Sequence, residues 1–101
     1  MKNTARIFRA LADPTRREIL QALKARELPA GEIAALFSIS APAVSRHLSI
    51  LKAAELVSER RQGNRIIYSL EPERLALCLN QFITAVCPVQ VFHRKRKEPA
   101  R

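Results

Sequence analysis

A three-residue break, Ser38-Ile39-Ser40, separates two short amphipathic segments, and this spacing constrains the fold more than any other feature of the chain. A link that short joins two helices only as a sharp corner in which the second packs across the first. Ser40 is the natural N-cap of the second segment, and Pro42 is tolerated in its first turn because the amide it lacks has no partner there. Projected at the helical period, Val44, Leu48 and Leu51 form one apolar stripe, while Pro42, Ser45, Arg46 and Ser49 gather opposite. An ordinary surface helix carries several Glu and Lys on its wet face. This one carries small groups and one long donor, a shape that can approach the edges of bases closely.

The flanking pattern extends the reading in both directions. Upstream, Thr4 to Leu11 places Ile7, Phe8 and Leu11 at helical spacing. Asp13-Pro14 then restarts a helix to about Ala25, with Ile19, Leu20 and Leu23 inward. Glu27-Leu28-Pro29-Ala30-Gly31 interrupts the chain, and a third helix over Glu32 to Phe37 is expected to bury Ile33, Leu36 and Phe37. Downstream of about Ala53 to Leu56 the period changes. Val57 to Arg61 and Arg65 to Leu70 read as strands joined by Gln62-Gly63-Asn64, residues that tolerate a tight hairpin turn. Glu71-Pro72-Glu73 opens a last helix to about Val86, stopped by Pro88. The predicted fold is mainly α with a β-hairpin, in the order α-α-α-α-β-β-α: a winged helix-turn-helix over residues 1–88, with a basic, disordered tail over 89–101.

Charge points to the partner. Eighteen Lys and Arg against nine Asp and Glu give +9 over 101 residues, and the chain stays basic when the Arg94-Lys95-Arg96-Lys97 run is set aside. A polyanion is the natural counterpart, and with the bare polar face of the Ser40–Lys52 segment the expected partner is double-stranded DNA. No apolar run approaches the roughly 20 residues of a membrane span, so a cytoplasmic protein without membrane attachment is expected. Cys78 and Cys87 are too few for a disulfide framework and form no Cys-x-x-Cys pair. On a continuous helix their Cα atoms stand roughly 13.5 Å apart, beyond the reach of about 7 Å of an intrachain bridge. An enzyme is not expected: there is no recognisable nucleophile and base, no phosphate-cradling loop, and only two glycines.

Three runs, Leu11-Ala12-Asp13-Pro14-Thr15-Arg16-Arg17-Glu18-Ile19-Leu20, Val44 to Val57 and Arg61 to Leu70, resemble in order and spacing the signature blocks of the ArsR/SmtB repressors. The resemblance covers nearly all of residues 5–87. It implies a homodimeric winged-helix repressor, built through its first and last helices, that binds an operator of imperfect two-fold symmetry. Metal-sensing members carry a Leu-Cys-x-Cys motif in the third helix or acids and histidines in the last. Here Glu27 to Glu32 offers neither thiol nor imidazole, and Pro72 to Val86 offers only Glu73 and Cys78. One thiol does not make a tetrahedral site, so the metal-independent, SdpR-like type is the closer resemblance and no metal or cofactor is expected.

The residues expected to meet DNA follow. Arg46 is placed to read a base, most naturally guanine O6 and N7, or to hold a phosphate. Ser45 and Ser49 flank it. Ser40, Ala41 and Pro42 open the helix, where Ala41 and Pro42 can touch a thymine methyl. Arg61, Gln62, Asn64 and Arg65, with Arg60, concentrate donors at the hairpin tip for the phosphate backbone or the minor groove. Ile66 and Tyr68 are read as packing residues. His47 lies beside the core stripe and is expected half-buried, bonded to backbone or phosphate. Arg16 and Arg17 follow an N-cap, where the helix dipole disfavours cations, so an ion pair to Glu32 or Glu55, or a phosphate, is expected to hold one of them. Cys78, at the edge of a stripe of Leu75, Leu79, Phe82 and Val86, is the candidate for thiol or persulfide sensing; a buried inert thiol is the simpler reading. Two other functions stay open: a thiol-responsive repressor, and a winged-helix module that docks an acidic protein. With no ligand site legible, control by abundance, autorepression or a regulatory partner protein is expected.

Overall fold

The computed structural model describes residues 2–88. Along the chain run α1 (Lys2–Leu11), α2 (Pro14–Ala25), β1 (Leu28–Pro29), α3 (Ala30–Phe37), α4 (Ala41–Ala53), β2 (Val57–Gln62), β3 (Arg65–Leu70) and α5 (Pro72–Val86). This is the expected order with one addition. Leu28–Pro29, read from the sequence only as a break, pairs antiparallel with β3, Leu28 opposite Tyr68 and Pro29 opposite Ile67. The sheet therefore has three strands in the order β1-β3-β2. A two-residue strand has no alternation to recognise, and its pairing depends on β3 arriving from 40 positions away.

Each helix start is set by local chemistry. The Asp13 carboxylate accepts from the Arg16 amide at 3.0 Å, and the Ser40 hydroxyl accepts from the Ala43 amide at 3.2 Å, so both predicted N-caps are made. Between α3 and α4 the chain turns through 113°. Ser38 ends α3 in the left-handed region, at φ 55°, and the Ile39 amide reaches back to the Ala34 carbonyl at 3.2 Å. Ser40 then caps the next helix, so the two serines act as stop and start while Ile39 packs against the core. At the end of α4, Glu55 takes φ 63°, and Glu55 and Leu56 close a Schellman pair of bonds onto Lys52 and Leu51. The hairpin loop is Gly63-Asn64, led by Gly63 at φ 67°.

The core draws on every helix. Ile7, Ile19, Leu23, Leu28, Ile33, Val44, Leu48, Leu51 and Leu56 are almost fully buried, and no polar or charged side chain is buried with them among the described residues. Three expectations need correction. α3 begins at Ala30, not Glu32, and its inward stripe runs through Ala30, Ile33, Ala34 and Phe37, leaving Leu36 55% exposed. Phe8, expected inward, sits at the surface edge to face against Phe82, ring centroids 5.2 Å apart at 72°. On α5 the inward residue is Cys78, while the stripe it was expected to flank emerges from the core towards the C-terminal end. Leu75 and Leu79 are half-buried, Phe82 and Val86 exposed. The helix outruns the core beneath it. The basic tail over 89–101 lies outside the described residues.

Candidate nucleic-acid interface

Ser40, Ala41, Pro42, Ser45, Arg46 and Ser49 are all exposed, on one side of α4 or at its cap, opposite buried Val44, Leu48 and Leu51. α4 itself contains no acid, and of its two cations Lys52 is bound to Glu59 at 2.8 Å. Arg46 makes no ion pair with any described residue. The centre of the exposed face thus holds one uncommitted guanidinium among small side chains, with free approach from solvent.

The hairpin lies beside this face, and its cations are not equivalent. Arg60 donates to Glu27 at 2.8 Å, and Ser69 donates to the same carboxylate at 2.9 Å. These bonds hold the Glu27 carboxyl below its usual range. Arg65 stands 3.7 Å from Glu32, which also has Arg26 at 3.6 Å. Arg61, Gln62 and Asn64 are exposed at the tip, and Arg61 makes no ion pair among the described residues. Of the five donors expected at the wing, Arg60 is therefore already engaged and Arg65 loosely so. The sequence hid this because Glu27 and Glu32 lie 33 positions from their partners. Ile66 and Tyr68 are half-buried, as packing residues should be, and the Tyr68 phenol is raised above its ordinary value by burial and by the neighbouring Glu59 carboxylate.

Arg16 and Arg17 behave differently from expectation. Neither pairs with Glu32 or Glu55: Glu55 is taken by Arg74 at 2.8 Å and Glu32 by Arg26 and Arg65. Arg16 instead donates from Nε to the Ala10 carbonyl at 2.9 Å and from a terminal nitrogen to the Arg9 carbonyl at 3.1 Å, and Arg17 donates to the Leu11 carbonyl at 2.6 Å. These are carbonyls of the last turn of α1, where the helix dipole favours cations. The arginines that sit badly on the start of α2 sit well on the end of α1. The second terminal nitrogen of Arg16 lies 3.4 Å from Nδ1 of His47, which is itself 4.0 Å from Asp13. His47 is half-buried as predicted, but its neighbours are Arg16 and Asp13. Through Arg16, α1, α2 and α4 share one polar joint. Asp13 is held below its usual carboxylate range, first by the Arg16 amide and then by the nearby charges of Arg16 and His47.

Among the described residues no three potential ligands gather to hold a metal ion. Cys78 is buried and Cys87 half-buried, and both are free thiols. No single described helix is long and apolar enough to cross a membrane.

Known proteins share this arrangement. Residues 13–59 match the profile of the bacterial regulatory proteins of the arsR family. Over 80 residues the chain is 45% identical to the transcriptional repressor SdpR of Bacillus subtilis, covering 79% of this chain and 89% of that one. Other regulators it matches at 39–48% identity are mostly longer, and the chain spans 50–72% of their length. Among solved structures, an ArsR-like transcriptional regulator from Rhodococcus sp. RHA1 superposes with a TM-score of 0.78 at 27% identity, covering 99% of this chain and 94% of that one. The homodimeric winged helix-turn-helix DNA-binding domain, fragment 1–100, from Mycobacterium bovis superposes with a TM-score of 0.70 at 29% identity, covering 83% and 79%.

Proposed function

The chain belongs to the ArsR family of bacterial regulatory proteins, a family of DNA-binding transcription regulators and not of enzymes, and from that premise we propose that it is a homodimeric, metal-independent repressor of an inverted-repeat operator. The observation that carries the reading is the exposed face of α4: Arg46, without an ion pair among the described residues, set among Ser45, Ser49, Pro42 and Ala41, on a helix fixed at 113° to its partner. Arg46 reads the major-groove edge of a guanine, and Ser45 and Ser49 set its register. Ser40, with Ala41 and Pro42, presents the start of the helix. Arg61, Gln62 and Asn64, with Arg65 behind them, follow the phosphates of the adjacent groove.

Dimerisation rests on α1 and α5. Phe8, Phe82, Ile83 and Val86 leave an apolar surface on these two helices, which a second copy would cover. Residues 1–88 form the DNA-binding and dimerisation unit, which works in the cytoplasm, and 89–101 add sequence-independent attraction to DNA. Metal independence is supported by the donor set: α3 carries no thiol or imidazole, and α5 offers only Glu73 and Cys78, the latter turned into the core. The thiol reading loses ground for the same reason, since a buried thiol is a poor nucleophile.

Selecting bound sequences from random DNA tests the proposal directly. It should return an inverted repeat with half-sites about 34 Å apart, and zinc or a chelator should leave its affinity unchanged. Enrichment of a lone half-site, or binding indifferent to half-site spacing, would refute the dimeric reading.

A further inference from the structure

Between the start of α3, the exposed side of α4 and β3 lies an open cleft of about 580 Å³. That is the size range of sites for small organic molecules. Its walls are mainly apolar: Ala34, Ala41 and Ile66 reach its surface with Tyr68 at one side, while Ser45, Asn64 and Arg65 bring donors to it. Gly31 opens the wall further: a Cβ placed there would meet nothing within 4 Å.

The polar groups stand at the rim. Glu32 has two arginines, Arg26 at 3.6 Å and Arg65 at 3.7 Å, in a loose and largely exposed cluster with one positive charge in excess. An incoming anion balances this cluster, whereas a cation would double its excess. Exchanging the partner of Arg65 costs little, because an exposed pair at that distance contributes almost nothing. A carboxylate on Arg65 can form the two-pronged bond that a guanidinium favours.

We propose that the cleft binds a small amphipathic carboxylate, an aromatic or branched organic acid whose body rests on Ala34, Ile66 and Tyr68 and whose head meets Arg65. Ser45 and Ala41 also line the cleft. An occupant therefore stands between the reading helix and the wing, engages a wing arginine and competes with DNA. That consequence rests on the DNA-binding reading above; the binding of the acid does not.

The probe is naphthoate, titrated into the isotope-labelled full chain while amide chemical shifts are followed, with naphthalenemethanol as the uncharged control. Shifts should cluster at residues 31–34, 44–48 and 65–68. Gly31→Leu, whose Cβ enters open space beside the cleft, should weaken naphthoate roughly tenfold or more. Arg65→Gln should weaken naphthoate by a similar factor and change naphthalenemethanol by less than about twofold. Shifts confined to the Phe8 and Phe82 surface, or Gly31→Leu binding as tightly as the original chain, would overturn the site. Equal losses of acid and alcohol in Arg65→Gln would overturn the assignment of a carboxylate. In a parallel anisotropy assay on the selected operator, naphthoate should release DNA from the original chain and fail to do so from Gly31→Leu. A chain that binds no DNA even without naphthoate refutes the repressor and leaves the shift data to judge the cleft; DNA affinity indifferent to bound naphthoate overturns the competition.

Discussion

Replacing Arg16 with Leu removes one side chain from the joint of three helices, and its cost follows from the bonds it makes. The Nε bond to the Ala10 carbonyl is part-buried at 2.9 Å, and the bond to the Arg9 carbonyl is exposed at 3.1 Å. Hydrogen bonds from a charged donor contribute about 1.5–3 kcal/mol, with exposed ones well below that range. Taking about 1.5 kcal/mol for the first and about 0.5 for the second, and adding roughly 0.5 for a cation on the end of α1, gives a loss of about 2–3 kcal/mol. The contact to His47 at 3.4 Å is long and adds little. In a domain of this size such a loss lowers Tm by roughly 10–20 °C. Urea denaturation at fixed protein concentration measures it, because association also stabilises the folded state. Arg16→Lys keeps the charge but not the fork, and should recover only about 0.5–1 kcal/mol. Glu32→Gln and Glu55→Gln, which remove the acids first expected to hold Arg16, should each cost under about 1 kcal/mol. If Arg16→Leu loses less than about 0.5 kcal/mol, or if either glutamate variant matches it, the joint is not what holds the end of α1.

Acid should unfold the protein through three carboxylates. Asp13, Glu27 and Glu59 are each held below their ordinary values, by the Arg16 amide, Arg60 and Lys52 respectively. Stability from a lowered carboxyl is present above its unfolded value and lost as pH falls through its folded one, so denaturation should steepen below about pH 4, and Asp13→Asn should flatten the profile. Arg46→Ala should cost about 1–3 kcal/mol on the best operator and relax preference at one base pair, whereas Arg61→Ala should weaken all sequences alike and reduce the salt slope by about 1; competition binding separates the two, and a uniform loss for Arg46 would make it a phosphate contact. Phe82→Glu places a charge on the apolar surface of α1 and α5, and sedimentation should report monomer where the original chain is dimer; an unchanged mass would move the interface elsewhere.

What could be read in advance was whatever a residue decides with its near neighbours. Asp13 and Ser40 announced their helices because capping is settled within three residues. Gly63 announced the hairpin for the same reason. The exposed face of α4 was legible because a helix sorts its residues by period alone. Where the structure departs at the sheet and at the arginines, distant partners decide. β1 exists because β3 lies beside it, Arg60 is occupied because Glu27 is carried to it, and Arg16 turns towards α1 because α1 ends there. On α5 the apolar residues follow the helical period, yet Cys78 and not the Leu75-Leu79-Phe82-Val86 stripe is the one buried, since period does not say where the core stops.

Strand β1 also governs how copies of the protein can meet. The sheet has two open edges, and both are poor templates for another strand. One is only two residues long and ends in Pro29, which has no amide to offer. The other, β2, carries Glu59, Arg60 and Arg61 in succession, and two of these are already tied to Lys52 and Glu27. Many copies crowded along one stretch of DNA are therefore blocked from adding sheet to sheet into open-ended fibres. Under the proposed pairing through α1 and α5, a two-fold contact of helix surfaces closes on itself and stops at two.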